Sequence, residues 1–423
     1  MKTSVRIAFC LALCCIFLLA ISALVEAGKP PPPPPPSSIT RAVSMSVRDD
    51  YNKGETFAGN IDMDLANIND LGVDEFIFSV GWDDYEPTDD AFDWNWLDSF
   101  IAECASYGVK SRPYICYAPE WAAPAYNQPP YDNAEFYEFC YEFAMQYKNN
   151  ANVLSIEMWN EEDGSGFWSG TIAEFTAMIE QGVAGLRAAG WTKPIIIGGL
   201  THWADNSFTW HEAFYAGTWE TNFDIDAFHV YAEFTPNDSV EQYFVGFGDY
   251  IDVVNNDGEG EPIWVTEDSY STLDRTYEMQ ASYFVRSIIN CFGSTHTAGE
   301  IEHYDIYQIR DEDPNEPLIG AEDMRYLGIT DYLGNKKDAF YGCQIMVDLF
   351  DDQTITSPLN DDVTTNVISG RAKSLYTYRI DRADGSIIVA VYDRGMRSPI
   401  TVSYTHLRAH ETVLDLVCRL LLE

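Results

Sequence analysis

The stretch Val153-Leu154-Ser155-Ile156-Glu157-Met158-Trp159-Asn160-Glu161 decides how the rest of the chain is read. Its apolar run, Val153–Met158, has the length of a buried strand. On either side lie longer segments, Asn133–Tyr147 and Ile172–Ala189. Their apolar residues recur at three and four spacing, as in Phe136, Phe139, Cys140 and Phe143, which is the period of an amphipathic helix. A short strand between two such helices is one unit of a parallel α/β fold.

The alternation extends outward in both directions. Further strands are expected at Ala42–Val47, Glu75–Val80, Ser111–Cys116, Pro194–Ile197, Ile225–His229, Pro262–Val265 and Tyr304–Ile309. Further helices are expected at Met63–Leu71, Trp94–Tyr107, Asn206–Tyr215, Ser239–Val254, Arg275–Cys291 and Lys337–Leu349. Eight strands, each followed by a helix, predict an α/β fold of the (β/α)8 TIM-barrel type over residues 38–350. The rival is a doubly wound open sheet. No glycine-rich phosphate fingerprint follows any of these strands, which weakens its nucleotide-binding version. Beyond Asp351 the texture changes to short β-like stretches, Val363–Ile368, Ser374–Ile380 and Ser386–Tyr392. They predict a small C-terminal β-domain over 351–401.

The two ends read differently. Lys2 and Arg6, the apolar run Ile7–Leu24 and the small-residue site Val25-Glu26-Ala27 form a secretory signal over 1–27, which predicts a secreted, extracellular protein. The competing reading is an uncleaved anchor, because the run is near the spanning length. Pro30–Pro36 make 28–37 a stiff polyproline II linker. At the other end, Val402–Glu423 drops the acidic bias of the chain and resembles translated sequencing-adaptor read-through. On that reading the β-domain is truncated; the alternative is an amphipathic tail helix.

Composition narrows the partners. Asp and Glu number 67 against 25 Lys and Arg, a formal charge of −42, which repels nucleic acid and anionic membranes. A neutral carbohydrate meets no such repulsion. Solubility accounts for the charge equally well. The 11 Trp and 26 Tyr serve a core, and they also suit a sugar cleft that needs flat rings with polar edges. Oligomeric state is not legible.

Two strand ends carry chemistry. The fourth strand ends in Trp159-Asn160-Glu161 and the seventh in Ile263-Trp264-Val265-Thr266-Glu267. In a barrel these lips face each other, and two carboxylates across a sugar are the minimal apparatus of glycoside hydrolysis. No cofactor and no metal is required. Asp311-x-Asp313-x-Asn315 with Glu322 has calcium-loop spacing, but Glu316 stands where the turn needs glycine, so a solvated acidic loop is expected. Asn237-Asp238-Ser239 is a glycosylation acceptor pattern.

With these motifs the chain resembles clan A of the glycoside hydrolases, in feel closest to family thirty-nine or family five. The supporting segments are Asp70–Val73, Trp82, Glu86-Pro87, Phe92–Trp94 and Leu97-Asp98; Tyr117–Ala122; His229-Val230-Tyr231; and Gly328–Tyr341. Together they cover roughly residues 60–345. The resemblance implies a retaining β-glycosidase acting on xylan, mannan or β-glucan, with Glu161 as acid/base and Glu267 as nucleophile. It implies that Asn160 binds the sugar 2-OH and that Tyr231 hydrogen-bonds the nucleophile. It further implies that His229 and Trp82 line the sugar subsite. Trp121 and Trp159 offer stacking faces. Each aromatic and His229 also has a plain packing reading. Glu162 reads as the surface half of an acidic pair, Asp268 as a structural loop residue, and Glu157 as half of a structural ion pair.

Two departures stand out. The clan's strand-two arginine is replaced by Phe76-Ile77-Phe78, and the strand-eight tryptophan by Tyr307, Gln308 and Arg310. A non-catalytic carbohydrate-binding barrel is the alternative function; it would lack one carboxylate. A metal-dependent barrel enzyme would need more strand-end histidines than His229 and His303 supply. Of the cysteines outside the two ends, Cys104 with Cys140 and Cys291 with Cys343 are possible disulfides, with five buried thiols as the other reading.

Overall fold

The computed structural model describes residues 39–404 except 41, 49–50, 52, 202–206, 216–221, 233–239, 241–250, 252–253, 255–260, 294–300, 316–321, 353, 360–364, 370–374, 383–386 and 394–400. The signal, the linker, Asn237 and 405–423 therefore lie outside the described residues. Strand β1 (Ile39–Thr40) leads into the barrel strands β2 (Ala42–Arg48), β3 (Glu75–Gly81), β4 (Lys110–Cys116) and β5 (Ile156–Met158). The barrel continues through β6 (Ile195–Ile197), β7 (Asp226–His229), β8 (Ile263–Asp268) and β9 (Ile301–Tyr307). They pair in the order β6-β5-β4-β3-β2-β9-β8-β7, all in parallel. Parallel bridges Ile196–Ile225 and Leu200–Phe228 join the two ends of that row and close the barrel. The fold is the (β/α)8 barrel that the alternation predicts.

Seven helices of eight residues or more lie between the strands among the described residues: α1 (Asn60–Leu71), α2 (Asn95–Ser106), α3 (Asn133–Tyr147), α4 (Ile172–Ala188), α5 (Ser207–Phe214), α6 (Tyr277–Gly293) and α7 (Asp338–Phe350). The helix expected over Ser239–Val254 falls mostly outside them. Local chemistry starts and packs these helices. Asp132 caps α3 by accepting from Ala134 N at 2.9 Å, and Thr171 with Glu174 forms a capping box on α4. α3 buries Phe136, Phe139, Cys140, Phe143, Ala144 and Tyr147, the face its spacing predicts. α4 lies close against it because Gly185 has no side chain: a Cβ there would stand 2.2 Å from Tyr137 O.

β9 begins three residues earlier than its apolar run suggests. His303 and Asp305 interrupt that run because they belong to a buried charge network inside the barrel. Arg112 of β4 pairs with Asp305, reaches Glu75 at 3.5 Å and donates to Ser44 Oγ at 2.9 Å. His303 Nε2 lies 2.9 Å from Asp305 Oδ1, and its ring stacks on Trp264 at 4.3 Å. Burial would raise the Asp305 pKa, but the charges of Arg112 and His303 hold it below the usual carboxylate range.

Beyond α7, β10 (Thr354–Leu359), β12 (Leu375–Arg382) and β13 (Ile387–Asp393) form an antiparallel sheet with β1, in the order β1-β10-β12-β13. β11 (Thr365–Ser369) pairs with β14 (Thr401–Tyr404). Three residues of β14 fall within the segment read as adaptor-derived. The disulfide expectation is corrected: Cys104, Cys116, Cys140, Cys291 and Cys343 are all buried thiols. Burial pushes the Cys140 thiol well up, which keeps it unreactive. Among the described residues no helix is long and apolar enough to cross a membrane.

Candidate active site

β5 and β8 end at the same mouth of the barrel and deliver Glu161 and Glu267 to it. β8 runs as strand through Glu267 to Asp268, although its register slips against β7 and β9 beyond Val265. Asp268 points away from the mouth and is buried. It accepts from Tyr304 OH at 2.5 Å, from Tyr270 OH at 3.3 Å, and from Ser287 Oγ. Burial outweighs these bonds and lifts its pKa to about 8. Asp268 is thus structural, but it is the last residue of a strand and not the loop residue expected; it ties the end of β8 to α6 and β9.

The other lip is built without a ladder. β5 stops at Met158, and the chain passes through left-handed backbone at Trp159 (φ 80°) and again at Glu161 (φ 47°). Such conformations cost free energy outside glycine and gather at functional sites. Gly198-Gly199, just after β6, form the saddle beneath this turn. Glu161 N donates to Gly199 O at 3.2 Å and Gly198 N to Met158 O at 3.1 Å. Gly199 N donates to Glu157 Oε1 at 3.3 Å, so Glu157 holds backbone here. A Cβ on Gly199 would stand 2.1 Å from His229 Nε2.

His229, at the end of β7, links the two lips. Its Nδ1 lies 2.8 Å from Glu161 Oε1 and 3.4 Å from Glu267 Oε2. Tyr231 OH donates to Glu267 Oε2 in a short hydrogen bond. Glu161, His229 and Glu267 each offer one donor atom within 4.8 Å of the other two. Among the described residues this is the one group of histidine, cysteine and carboxylate side chains that could share a metal ion. Glu161 and Glu267 keep slight exposure, 7% and 4%, at an otherwise enclosed centre. Asn160 is buried beside Glu161.

Residues 40–309, more than half of the chain, match the family model described as cellulase, glycosyl hydrolase family 5. The chain belongs to that family. It is a glycosidase of clan A. No curated protein sequence matches it. Among solved structures, it is similar to a family 39 glycoside hydrolase from the gut symbiont Bacteroides cellulosilyticus WH2. That match has a TM-score of 0.63 and 13% identity over 84% of this chain and 71% of that one. It is also similar to a monomeric β-xylosidase from Caulobacter crescentus CB15 (TM-score 0.58, 15% identity, 82% and 75% covered). A third is the exo-β-1,4-mannosidase Op5Man5 from Opitutaceae bacterium strain TAV5 (TM-score 0.57, 15% identity, 74% and 62% covered). At these identities the structural matches speak to the fold alone.

Of the residues expected at the site, Glu161, Glu267, His229 and Tyr231 come together. Trp82 and Trp159 do not, and their expected cleft role is corrected. Both are 0% exposed. Trp82 donates from Nε1 to Glu86 Oε2 at 2.8 Å and packs on Phe136 and Phe139. Trp159 donates to Phe167 O at 3.1 Å and packs on Trp168 and Phe175. Trp121 keeps some surface, edge-on to Trp82, with Nε1 donating to Glu86 O at 2.9 Å.

Glu162 is also corrected: it is fully buried, and neither carboxyl oxygen has a hydrogen-bond partner among the described residues. In the acidic loop, Asp311 is committed to Lys337 Nζ at 2.7 Å. Tyr307, one of the residues standing in place of the clan's strand-eight tryptophan, is a site neighbour, edge-on to Tyr231 at 6.4 Å. Gly199 is another, and its only signal in the sequence is a glycine pair directly after a strand.

Proposed function

We propose that this family 5 enzyme is a secreted, retaining β-glycosidase acting on β-linked polysaccharide or oligosaccharide of the xylan, mannan or β-glucan type. The observation that carries the reading is the approach of Glu161 and Glu267 within 4.8 Å across the mouth. Retaining enzymes hold their carboxyl groups about 5–5.5 Å apart, whereas inverting enzymes leave about 6.5–9.5 Å for a water. In the first step Glu267 attacks the anomeric carbon as the glycosidic C–O bond breaks, and Glu161 gives its proton to the departing oxygen. In the second, water attacks the same carbon, Glu161 takes its proton, and Glu267 leaves. Tyr231 fixes the attacking carboxylate, and His229 orients Glu161. The presence of both carboxylates argues against a purely binding barrel. The named activities of the structural neighbours and the leader-like N-terminus support the substrate class and the secretion.

The test is sugar release by the full chain from xylan, mannan and β-glucan, and from small β-glycosides, beside a Glu267→Ala control. Release by the wild type, absent in the control and giving the β-anomer first by NMR, is the expected result. The α-anomer first would refute retention. Release surviving in Glu267→Ala would refute the nucleophile.

A further inference from the structure

The loop between β4 and α3 (117–132) is fastened to the loop between β5 and α4 that carries Glu161. Tyr126 OH donates to Gly166 O at 2.9 Å, Asn127 Nδ2 donates to the same oxygen at 3.1 Å, and Ser169 N donates to Asn127 O at 2.8 Å. The backbone of Tyr126 is held as well, its carbonyl accepting from Ala118 N at 2.9 Å. Its ring stands edge-on to Tyr117 at 5.5 Å, and Tyr117 stands edge-on to Trp159 at 5.7 Å. Trp159 is two residues from Glu161. A row of rings thus leads from the turn beneath the acid/base to Tyr126.

Tyr126 is fixed at its hydroxyl, its ring and its backbone, yet 52% of its surface is exposed. Tyr131 on the same loop is 71% exposed, but its hydroxyl makes no hydrogen bond among the described residues. Exposed aromatics that are free to move need no explanation. One whose polar tip is satisfied and whose ring stays half exposed is a preorganised apolar surface, and binding to it costs little ordering entropy. A pyranose presents an apolar C–H face of matching size. Glu161 hands its proton to the leaving oxygen, so the leaving sugar lies on this side of the site.

We propose that Tyr126 is the stacking face for the leaving-group sugar, an assignment that rests on Glu161 being the acid/base. The same face would receive a sugar acceptor in the second step. There the acceptor hydroxyl attacks the anomeric carbon, the bond to Glu267 breaks, and the hydroxyl proton passes to Glu161.

Two substrate types separate this role from a structural one. Xylobiose, mannobiose and cellobiose carry a leaving sugar. The corresponding β-glycosyl fluorides lose only fluoride, which needs neither stacking nor a proton. For the sugar that is cleaved, Tyr126→Ala should lower kcat/KM on the disaccharide about tenfold, the worth of one aromatic contact, and leave the fluoride rate unchanged. Tyr126→Phe keeps the ring but loses its hydroxyl anchor, so it should lose less than the alanine variant on the disaccharide and nothing on the fluoride. Equal losses on both substrates, or no loss on either, would overturn the proposal while leaving the glycosidase reading intact. A wild type that cleaves none of these substrates would sink that reading, and this inference with it.

Discussion

The two lips of the barrel mouth carry the same short pattern, a glutamate followed by another acid, and the fold treats them in opposite ways. Glu267-Asp268 closes a strand, with Asp268 held from behind by three hydroxyls. Glu161-Glu162 lies beyond the end of its strand, on left-handed backbone, with Glu162 buried and given no hydrogen bond among the described residues. The nucleophile is therefore aimed by its own strand, by what lies behind it and by Tyr231 beside it. The proton carrier is aimed by neighbours: Gly199 below it and His229 beside it. Tertiary contacts hold both lips; at one they brace a strand end, and at the other they steady a left-handed turn.

That contrast is broken most severely at Gly199. An added methyl would collide with His229 Cδ2 at 2.2 Å and approach Thr266 Oγ1 at 2.9 Å, so the imidazole must move. Displacing a catalytic group by about 1 Å can cost about 10²-fold. Gly199→Ala should therefore lower kcat/KM by about that factor on whichever glycoside is cleaved. Gly166→Ala, on the same rim with nothing within 4 Å of its Cβ, should leave the rate unchanged. Similar rates for the two variants would show that the acid/base does not depend on the glycine saddle.

The strand-seven lip should respond in stability more than in rate. Asp268→Ala strips the acceptor from Ser287, Tyr304 and Tyr270, and stranded buried hydroxyls cost about 1–3 kcal/mol. Urea unfolding should show a loss of about 3 kcal/mol, with a smaller fall in kcat as β8 loosens. With a pKa near 8, Asp268 is mostly protonated at neutral pH, so Asp268→Asn should retain most of that stability. An asparagine variant as damaged as the alanine variant would mean that Asp268 works as an anion.

How far this was legible in the sequence follows the same division. Glu161 and Glu267 were readable because each closes an apolar run, and the barrel dictates that strand ends share a mouth. His229 and Tyr231 were readable only through the resemblance of His-x-Tyr to the clan's sixth strand. The saddle was not, because the demand for glycine at 199 comes from a ring thirty positions along the chain. Trp82 and Trp159 misled because tryptophan suits core and cleft equally, and exposure is settled only when loops pack. Glu162 misled because an acid next to a catalytic acid reads as solvated. The left-handed turn at Glu161 instead sends it under the lip, where a Cβ on Gly198 would stand 2.6 Å from its Oε2.

The smallest expected effect is the one that tests this last point. Burial raises the Glu162 pKa well above 4.5, and Asp163, Glu157 and Asp226 raise it further. From about pH 5 upward the unfolded chain has released this proton while the folded chain still holds it. The folded state then binds more protons than the unfolded state, so stability falls as pH rises through this window. Glu162→Gln cannot ionise and escapes that penalty. Its stability should match wild type near pH 5 and exceed it by at least about 1 kcal/mol at pH 8, the worth of a single pKa unit. Denaturant midpoints at the two pH values measure this directly. A glutamine variant that is weaker at pH 8 would mean that Glu162 is ionised in the fold and neutralised by a cation. The proton carrier's lip would then be held by charge, as the Arg112–Asp305 network is inside the barrel, and the contrast between the two lips would be one of partners and not of backbone.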